Sequence, residues 1–229
     1  MSSIAENIAE IRKNIAASLS GGDRAVLLVA ATKMNDAARV REAIAAGVDA
    51  CGENKVQEFL EKDAQNAYDG CPKHFIGHLQ TNKVNKLVGK VDLIQSVDSA
   101  ELLRRIDRAA AALGIVQDVL IEISVAGEAQ KSGIPQSELP ALLEIAGSCA
   151  HLRVRGLMCV PPVQENPGEN RPYFAAMHQL FVDNSGKKYD NVSMDFLSMG
   201  MTDDYTDAVA AGANMVRVGS AIFGRRHYD

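Results

Sequence analysis

Lys33 closes the run Ala25-Val26-Leu27-Leu28-Val29-Ala30-Ala31-Thr32-Lys33, in which seven of the eight residues before the lysine are apolar. Such a run suits a strand buried on both faces of a parallel sheet. A lysine at the end of a buried strand can be held against apolar walls. Its charged form is then disfavoured, and its amine becomes a nucleophile toward a carbonyl. The alternative is a side chain that lays its stem on the sheet and carries its ammonium into water. Two further groups of residues bear on that choice. Ser198-Met199-Gly200-Met201-Thr202 and Gly219-Ser220-Ala221-Ile222-Phe223-Gly224 combine glycines, hydroxyls and the start of a short helix near Ser220. Glycines let the backbone approach an anion closely, and free amides at a helix start point at it. Together these segments read as a phosphate cup, although singly Ser220 is equally a helix cap and the glycines turn residues. Arg217 lies between Val216 and Val218 and points to the face opposite theirs. If that face is the interior, the guanidinium needs a partner. The choices are a core carboxylate such as Glu122 or Asp195, or a ligand.

A lysine able to form an imine, a phosphate cup and a ring-directed arginine together describe a pyridoxal 5′-phosphate site. The aldehyde would bond to Lys33, the phosphate would sit in the cup of Ser198, Gly200, Gly219 and Ser220, and Arg217 would face the pyridine nitrogen. Arginine cannot accept a proton, so that nitrogen would stay unprotonated and the ring would be a weak electron sink. Other signals are less specific. His74 and His78 are four apart, a metal-binding spacing on a helix, but Phe75-Ile76-Gly77 between them reads as strand, so no metal site is predicted. His78 is left at the site edge or in a structural role. Asn54 opens a helix and either caps it or contacts the cofactor. Cys159 reads as a small buried residue near the site. Lys83, Lys86 and Lys90, with Asn82 and Asn85, read as a solvated helix face.

These residues fall at the ends of predicted strands. Residues 4–18 form an amphipathic helix with Ile4, Ile8, Ile11 and Ile15 on one stripe. Strands are then expected over 26–32, 48–52, 74–77, 91–95, 116–124, 153–159, 193–198 and 214–218. Helices are expected over 37–46, 54–67, 80–88, 98–113, 136–149, 168–184 and 203–211, with a short one near Ser220. Eight strands, each followed by a helix, predict an α/β chain folded as a single (β/α)8 TIM barrel with an extra N-terminal helix, one domain over 1–229. A doubly wound open sheet is the runner-up, disfavoured because no Gly-x-Gly-x-x-Gly follows the first strand. In a barrel the strand ends meet on one face, where the irregular stretch 161–168 also lies.

With 229 residues, 47% hydrophobic and 23% charged, the chain can bury a substantial core. A net charge of −5 and no Trp give no reason to expect nucleic acid or an anionic membrane as partner. Cys51, Cys71, Cys149 and Cys159 form no CxxC pair and are read as free thiols in a reducing cytoplasm. Acidic residues early in the N-terminus and no apolar core region there do not read as a signal peptide, and no apolar run reaches membrane-spanning length.

Ala31-Thr32-Lys33, Gly52-Glu53-Asn54, the run from His74 to Lys83, Gly156-Leu157-Met158, Leu197-Ser198-Met199-Gly200-Met201 and Val216-Arg217-Val218-Gly219-Ser220-Ala221-Ile222-Phe223-Gly224 resemble the pyridoxal phosphate homeostasis protein family almost end to end. That family is itself similar to the N-terminal barrel of alanine racemase. The resemblance implies pyridoxal phosphate on Lys33, phosphate contacts at Ser198, Gly219 and Ser220, and Arg217 near the ring nitrogen. Asn54, His78, Met158, Met199, Gly200 and Met201 complete the expected cofactor-binding set. It further implies a carrier or regulator of free pyridoxal phosphate and amino-acid pools without robust turnover. A low-activity racemase or lyase is the alternative. Alanine racemase takes a second acid/base, a tyrosine, from another domain of the partner subunit. Tyr173, Tyr189, Tyr205 and Tyr228 are in no matching motif, so efficient racemisation is not expected. An uncovered site suits delivery to pyridoxal phosphate-dependent apo-enzymes, from a monomer or a weak dimer. A third reading, an imine-forming aldolase, is disfavoured because it would place its lysine on a later strand.

Overall fold

The computed structural model describes residues 3–19, 24–126, 132–186 and 190–224. Its strands are β1 (Leu27–Ala31), β2 (Ala50–Glu53), β3 (Lys73–Phe75), β4 (Leu93–Val97), β5 (Gln117–Ser124), β6 (Ile134–Pro135), β7 (Leu152–Met158), β8 (Val192–Ser198) and β9 (Met215–Val218). Its helices are α1 (Ile4–Ser18), α2 (Ala37–Ala45), α3 (Val56–Asp63), α4 (Val84–Leu87), α5 (Ala100–Leu113), α6 (Leu139–Gly147), α7 (Arg171–Ser185), α8 (Tyr205–Ala210) and α9 (Ser220–Phe223). Eight strands pair in parallel in the order β1-β2-β3-β4-β5-β7-β8-β9 and close on themselves through β1–β9. This is a (β/α)8 barrel. The two-residue β6 lies outside the ring and pairs only with the end of β5.

Two apolar layers hold the barrel together, because buried parallel strands carry apolar residues on both faces. Outward residues such as Leu28, Ala30, Cys51, Phe75, Ile94, Val119 and Val216 pack under the helices. Inward residues Val29, Ala50, Leu93, Leu120, Met158 and Met215 fill the interior. At the other end of the barrel Arg155 bridges Asp118 at 2.8 Å and Asp195 at 2.5 Å. Asp195 is therefore already occupied.

Helix starts follow their caps. Ser3 and Glu6 form a capping box on α1, which buries Ile4, Ile8, Ile11 and Ile15. α1 packs on α8 and α9, and Asn7 donates to the carbonyl of Ile222 at 2.8 Å. α3 starts at Val56, later than the expected 54, because Lys55 is still extended. The expected helix over 80–88 is a 3-10 turn at Thr81–Lys83 followed by the short α4. Tyr189 and Tyr228 lie outside the described residues. No described helix is long and apolar enough to cross a membrane.

Candidate functional site

Lys33 stands on an anchored neighbour. Thr32 is fully buried and its amide donates to Gly52 at 2.9 Å. Its hydroxyl donates to Glu53 at 2.5 Å, and its carbonyl accepts from the Lys62 ammonium at 2.8 Å. Lys62 also contacts the carboxylates of Glu53 at 2.6 Å and Glu58 at 2.9 Å, and the Tyr68 hydroxyl donates to Glu53 at 3.1 Å. The side chains of Lys62 and Glu53 are only 6% and 1% exposed. Burial and the neighbouring Glu53 charge push the Tyr68 phenol up, so it remains a donor. On the other side of Lys33, Met34 takes φ 62 and its amide donates to Glu58. A left-handed methionine costs about 1 kcal/mol, which the surrounding bonds must impose. Lys33 itself is half-buried, and its ammonium takes no hydrogen bond or ion pair among the described residues, while its carbonyl accepts from Asn35 at 3.2 Å.

Sequence reasoning missed Glu53, Glu58, Lys62 and Tyr68 as supports of this lysine. The available signal was Lys62 three residues after Phe59, on the buried stripe of α3. A lysine there needs a buried carboxylate, and Glu53 closes the buried strand beneath it.

Arg217 does point inward, as the alternation of β9 requires. It is buried, donates to the Ser198 hydroxyl at 2.6 Å and to the Cys159 carbonyl at 2.8 Å, and has no ion pair among the described residues. Neither proposed carboxylate bonds it. Asp195 is held by Arg155, and Glu122 accepts instead from Ser132 at 2.5 Å. Burial pushes the Glu122 carboxyl up and the Arg217 guanidinium down. Ser198, placed in the phosphate cup from the sequence, has its hydroxyl turned into the barrel. It accepts from Arg217 and donates to Gln95 at 2.7 Å. Gln95 in turn reaches the His74 ring at 3.0 Å. Burial holds His74 down to about 4, so its ring is neutral. Met158 belongs to the apolar plug just below this row.

The loops after β8 and β9 meet at Thr202. Its hydroxyl lies 3.3 Å from the Gly219 amide, 3.2 Å from the Ser220 hydroxyl and 3.5 Å from the Ala221 amide. Four donors thus converge at the start of α9, and Thr202 is the member that residue reasoning left out of the set. Gly200 shapes the loop with φ +93. A Cβ there would meet that of Ala208 at 2.6 Å, so another residue would be strained and crowded. Met199 is buried beneath the loop, while Met201 is half-exposed and its amide donates to Asp204 at 2.7 Å. The strand ends of β1 and β9 are neighbours. A Cβ on Gly219 would lie 3.4 Å from Ala31, two residues before Lys33. The lysine and the donor cluster are therefore adjacent.

Asn54 and His78 lie on the other side, after β2 and β3. The Asn54 side-chain oxygen is buried with no partner. His78 is 59% exposed and sits 3.3 Å from Asp98. Both line a cavity of about 300 Å³ with Lys83 and Lys86, so those two lysines are not simply a solvated face. Residues 162–168 line a second cavity, of about 340 Å³, with Met201 and Asp204.

The residues present fit pyridoxal phosphate. They supply a free amine, hydroxyl and amide donors for a dianion beside it, a buried arginine without a carboxylate, and an orphaned buried amide oxygen at Asn54. Among the described residues no cluster suited to a metal ion is present.

Comparison with known proteins agrees with this architecture. The family model described as alanine racemase, N-terminal domain, matches residues 1–227. The chain is 43% identical over 208 residues to the pyridoxal phosphate homeostasis protein of Aquifex aeolicus, covering 90% of each. It is 39% identical over 231 residues to that of Pseudomonas aeruginosa, covering 100% of this chain and 98% of the relative. The solved structure of PipY from Synechococcus elongatus with pyridoxal phosphate bound superposes with a TM-score of 0.84 at 33% identity, covering 97% of this chain and 100% of that one. With its barrel, its lysine at the end of β1 and 39–43% identity to these relatives over nearly its whole length, the chain belongs to the pyridoxal phosphate homeostasis protein family.

Proposed function

We propose that this chain binds pyridoxal 5′-phosphate at the barrel mouth and serves as an intracellular holder of the cofactor, without robust catalysis of its own. The observation that carries the reading is the adjacency of the unpartnered Lys33 to the donors of Thr202, Gly219, Ser220 and Ala221. Lys33 supplies the amine that bonds the cofactor's aldehyde, and the donor cluster takes the phosphate. Arg217, fixed by Ser198 and Cys159, turns toward the ring nitrogen and donates a hydrogen bond without giving up a proton. Asn54 offers its free amide oxygen, Met201 and Gly200 shape the cup, and Met158 and Met199 support it from below. His78 stands at the rim. The bound group supplies an aldehyde that captures amines and a ring that withdraws electrons.

The whole chain acts as one cofactor-binding unit in the cytoplasm. Its role in vitamin B6 and amino-acid balance is to keep the reactive aldehyde tethered until a pyridoxal phosphate-dependent apo-enzyme takes it. A weak racemase or lyase activity is the second reading, favoured by Glu122, a buried carboxyl that burial pushes up from its ordinary value. The test is the visible absorption of the protein with added pyridoxal phosphate, followed by mixing with an apo-enzyme. Lys33-dependent absorption that passes to the apo-enzyme, with no consumption of added amino acids, supports the holder. Steady turnover of an amino acid would replace it with the second reading.

A further inference from the structure

Beneath α3, two thiols face each other. Cys51 lies on the outward face of β2 and Cys71 lies just before β3. Their sulfurs are 3.8 Å apart, in hydrogen-bond contact. The Cys51 amide donates to the carbonyl of Pro72, the neighbour of Cys71, at 2.9 Å, so the two backbones are already in register. A disulfide needs the sulfurs at about 2.05 Å, a closure of roughly 1.8 Å that rotation of the half-exposed Cys71 side chain can contribute to. Cys149 and Cys159 are buried and have no cysteine within hydrogen-bond reach among the described residues.

We propose that Cys51 and Cys71 are a redox-modifiable pair that closes to an intramolecular disulfide when the protein meets a peroxide. The roles divide by environment. Cys71 is the accessible partner, and the hydrogen bond from Cys51 holds its thiol below the ordinary value. Cys51 is buried, its thiol pushed up by that same bond and by burial, which suits the resolving partner. The Cys71 thiolate attacks one peroxide oxygen. A sulfur–oxygen bond forms, the oxygen–oxygen bond breaks, and hydroxide leaves carrying the proton that Cys71 gave up, as water. The Cys71 sulfur is then a sulfenic acid, oxidised by two electrons. The Cys51 sulfur attacks it, the sulfur–sulfur bond forms and the sulfur–oxygen bond breaks. The Cys51 proton leaves with that oxygen as a second water. Two thiols and one peroxide thus give one disulfide and two waters.

The ring closed by this bond contains Glu53, Lys62 and Tyr68, the groups that anchor Thr32 behind Lys33. Oxidation would stiffen that support. The proposal itself stands on the thiol geometry and does not depend on the cofactor reading.

The experiment is graded hydrogen peroxide on the folded wild type, followed by thiol titration and non-reducing tryptic mapping. Cleavage after Arg41, Lys55, Lys62 and Lys73 places Cys51 in peptide 42–55 and Cys71 in peptide 63–73. The expected result is a fall from four titratable thiols to two, a cross-linked species of those two peptides, and full recovery with dithiothreitol. Cys51→Ser should leave Cys71 as a sulfenic acid trapped by dimedone. Three outcomes overturn the proposal: a cross-link through Cys149 or Cys159, Cys71 driven to sulfinic acid while Cys51 stays a thiol, or all four thiols surviving peroxide that oxidises a small free thiol.

Discussion

The ammonium of Lys62 lies 2.8 Å from the carbonyl oxygen of Thr32, the residue immediately before Lys33. One buried lysine therefore holds the backbone from which the half-buried Lys33 projects. Removing it leaves Glu53 as an uncompensated buried charge with one oxygen already unpaired. Lys62→Ala is expected to destabilise the fold by about 3–5 kcal/mol, read as a lowered urea midpoint. The double variant Lys62→Met, Glu53→Gln should recover most of that loss, because neither charge is then stranded.

Lys33→Ala should behave in the opposite way. The Lys33 side chain has no polar partner among the described residues, so its loss should change stability by less than about 0.5 kcal/mol. The same variant should lose the visible band that added pyridoxal phosphate gives the wild type. Unfolding of Lys33→Ala, or an unchanged band, would count against the assigned role.

Thr202→Val removes the hydroxyl around which Gly219, Ser220 and Ala221 gather. Losing one donor to a phosphate should weaken pyridoxal phosphate about tenfold, roughly 1.4 kcal/mol, in equilibrium dialysis. The melting temperature without ligand should barely move.

Gly77→Ala tests the other side of the mouth. A Cβ at Gly77 would fall 2.2 Å from the carbonyl oxygen of Asn54 and 2.6 Å from its Cα. The Asn54 segment must shift, at a cost of about 1–3 kcal/mol in stability, and the cofactor should bind more weakly. Unchanged affinity in a folded Gly77→Ala protein would remove Asn54 from the site.

His74 gives a pH dependence with a definite sign. Its ordinary value of 6.5 falls to about 4 in the fold, through burial. Between those values the unfolded chain binds the proton and the folded one does not. Stability from this group is therefore complete above about pH 6.5 and is lost as pH falls toward 4, by up to about 3 kcal/mol. Glu122, raised by burial, acts with the opposite sign, its contribution being lost as pH rises. Comparing urea midpoints of wild type and His74→Asn across this range isolates the histidine. Parallel curves would show that His74 does not titrate this way.

The strand ends were legible because apolar runs and strand alternation are local. Lys33 follows directly from the buried run before it, and the inward turn of Arg217 from Val216 and Val218 on either side. What Arg217 touches was not legible. Its bond to Ser198 depends on β8 lying beside β9, and the capture of Asp195 by Arg155 depends on a pairing across β7 and β8. The Glu53–Lys62 support is hidden for the same reason, since the two residues meet only once α3 folds back over β2. The late start of α3 is likewise tertiary, because the Asn54 backbone is packed against Gly77.

The row Arg217, Ser198, Gln95 and His74 has a direction. A guanidinium only donates, so the Ser198 oxygen must accept from it and spend its own hydrogen on the Gln95 oxygen. That turns the Gln95 amide nitrogen toward His74, whose Nδ1 must present a lone pair, leaving the ring hydrogen on Nε2. Every hydrogen bond in the row is thus oriented from one end. An acceptor in place of Arg217 would have to reverse the whole file, and the last member could comply only by moving a proton from one ring nitrogen to the other.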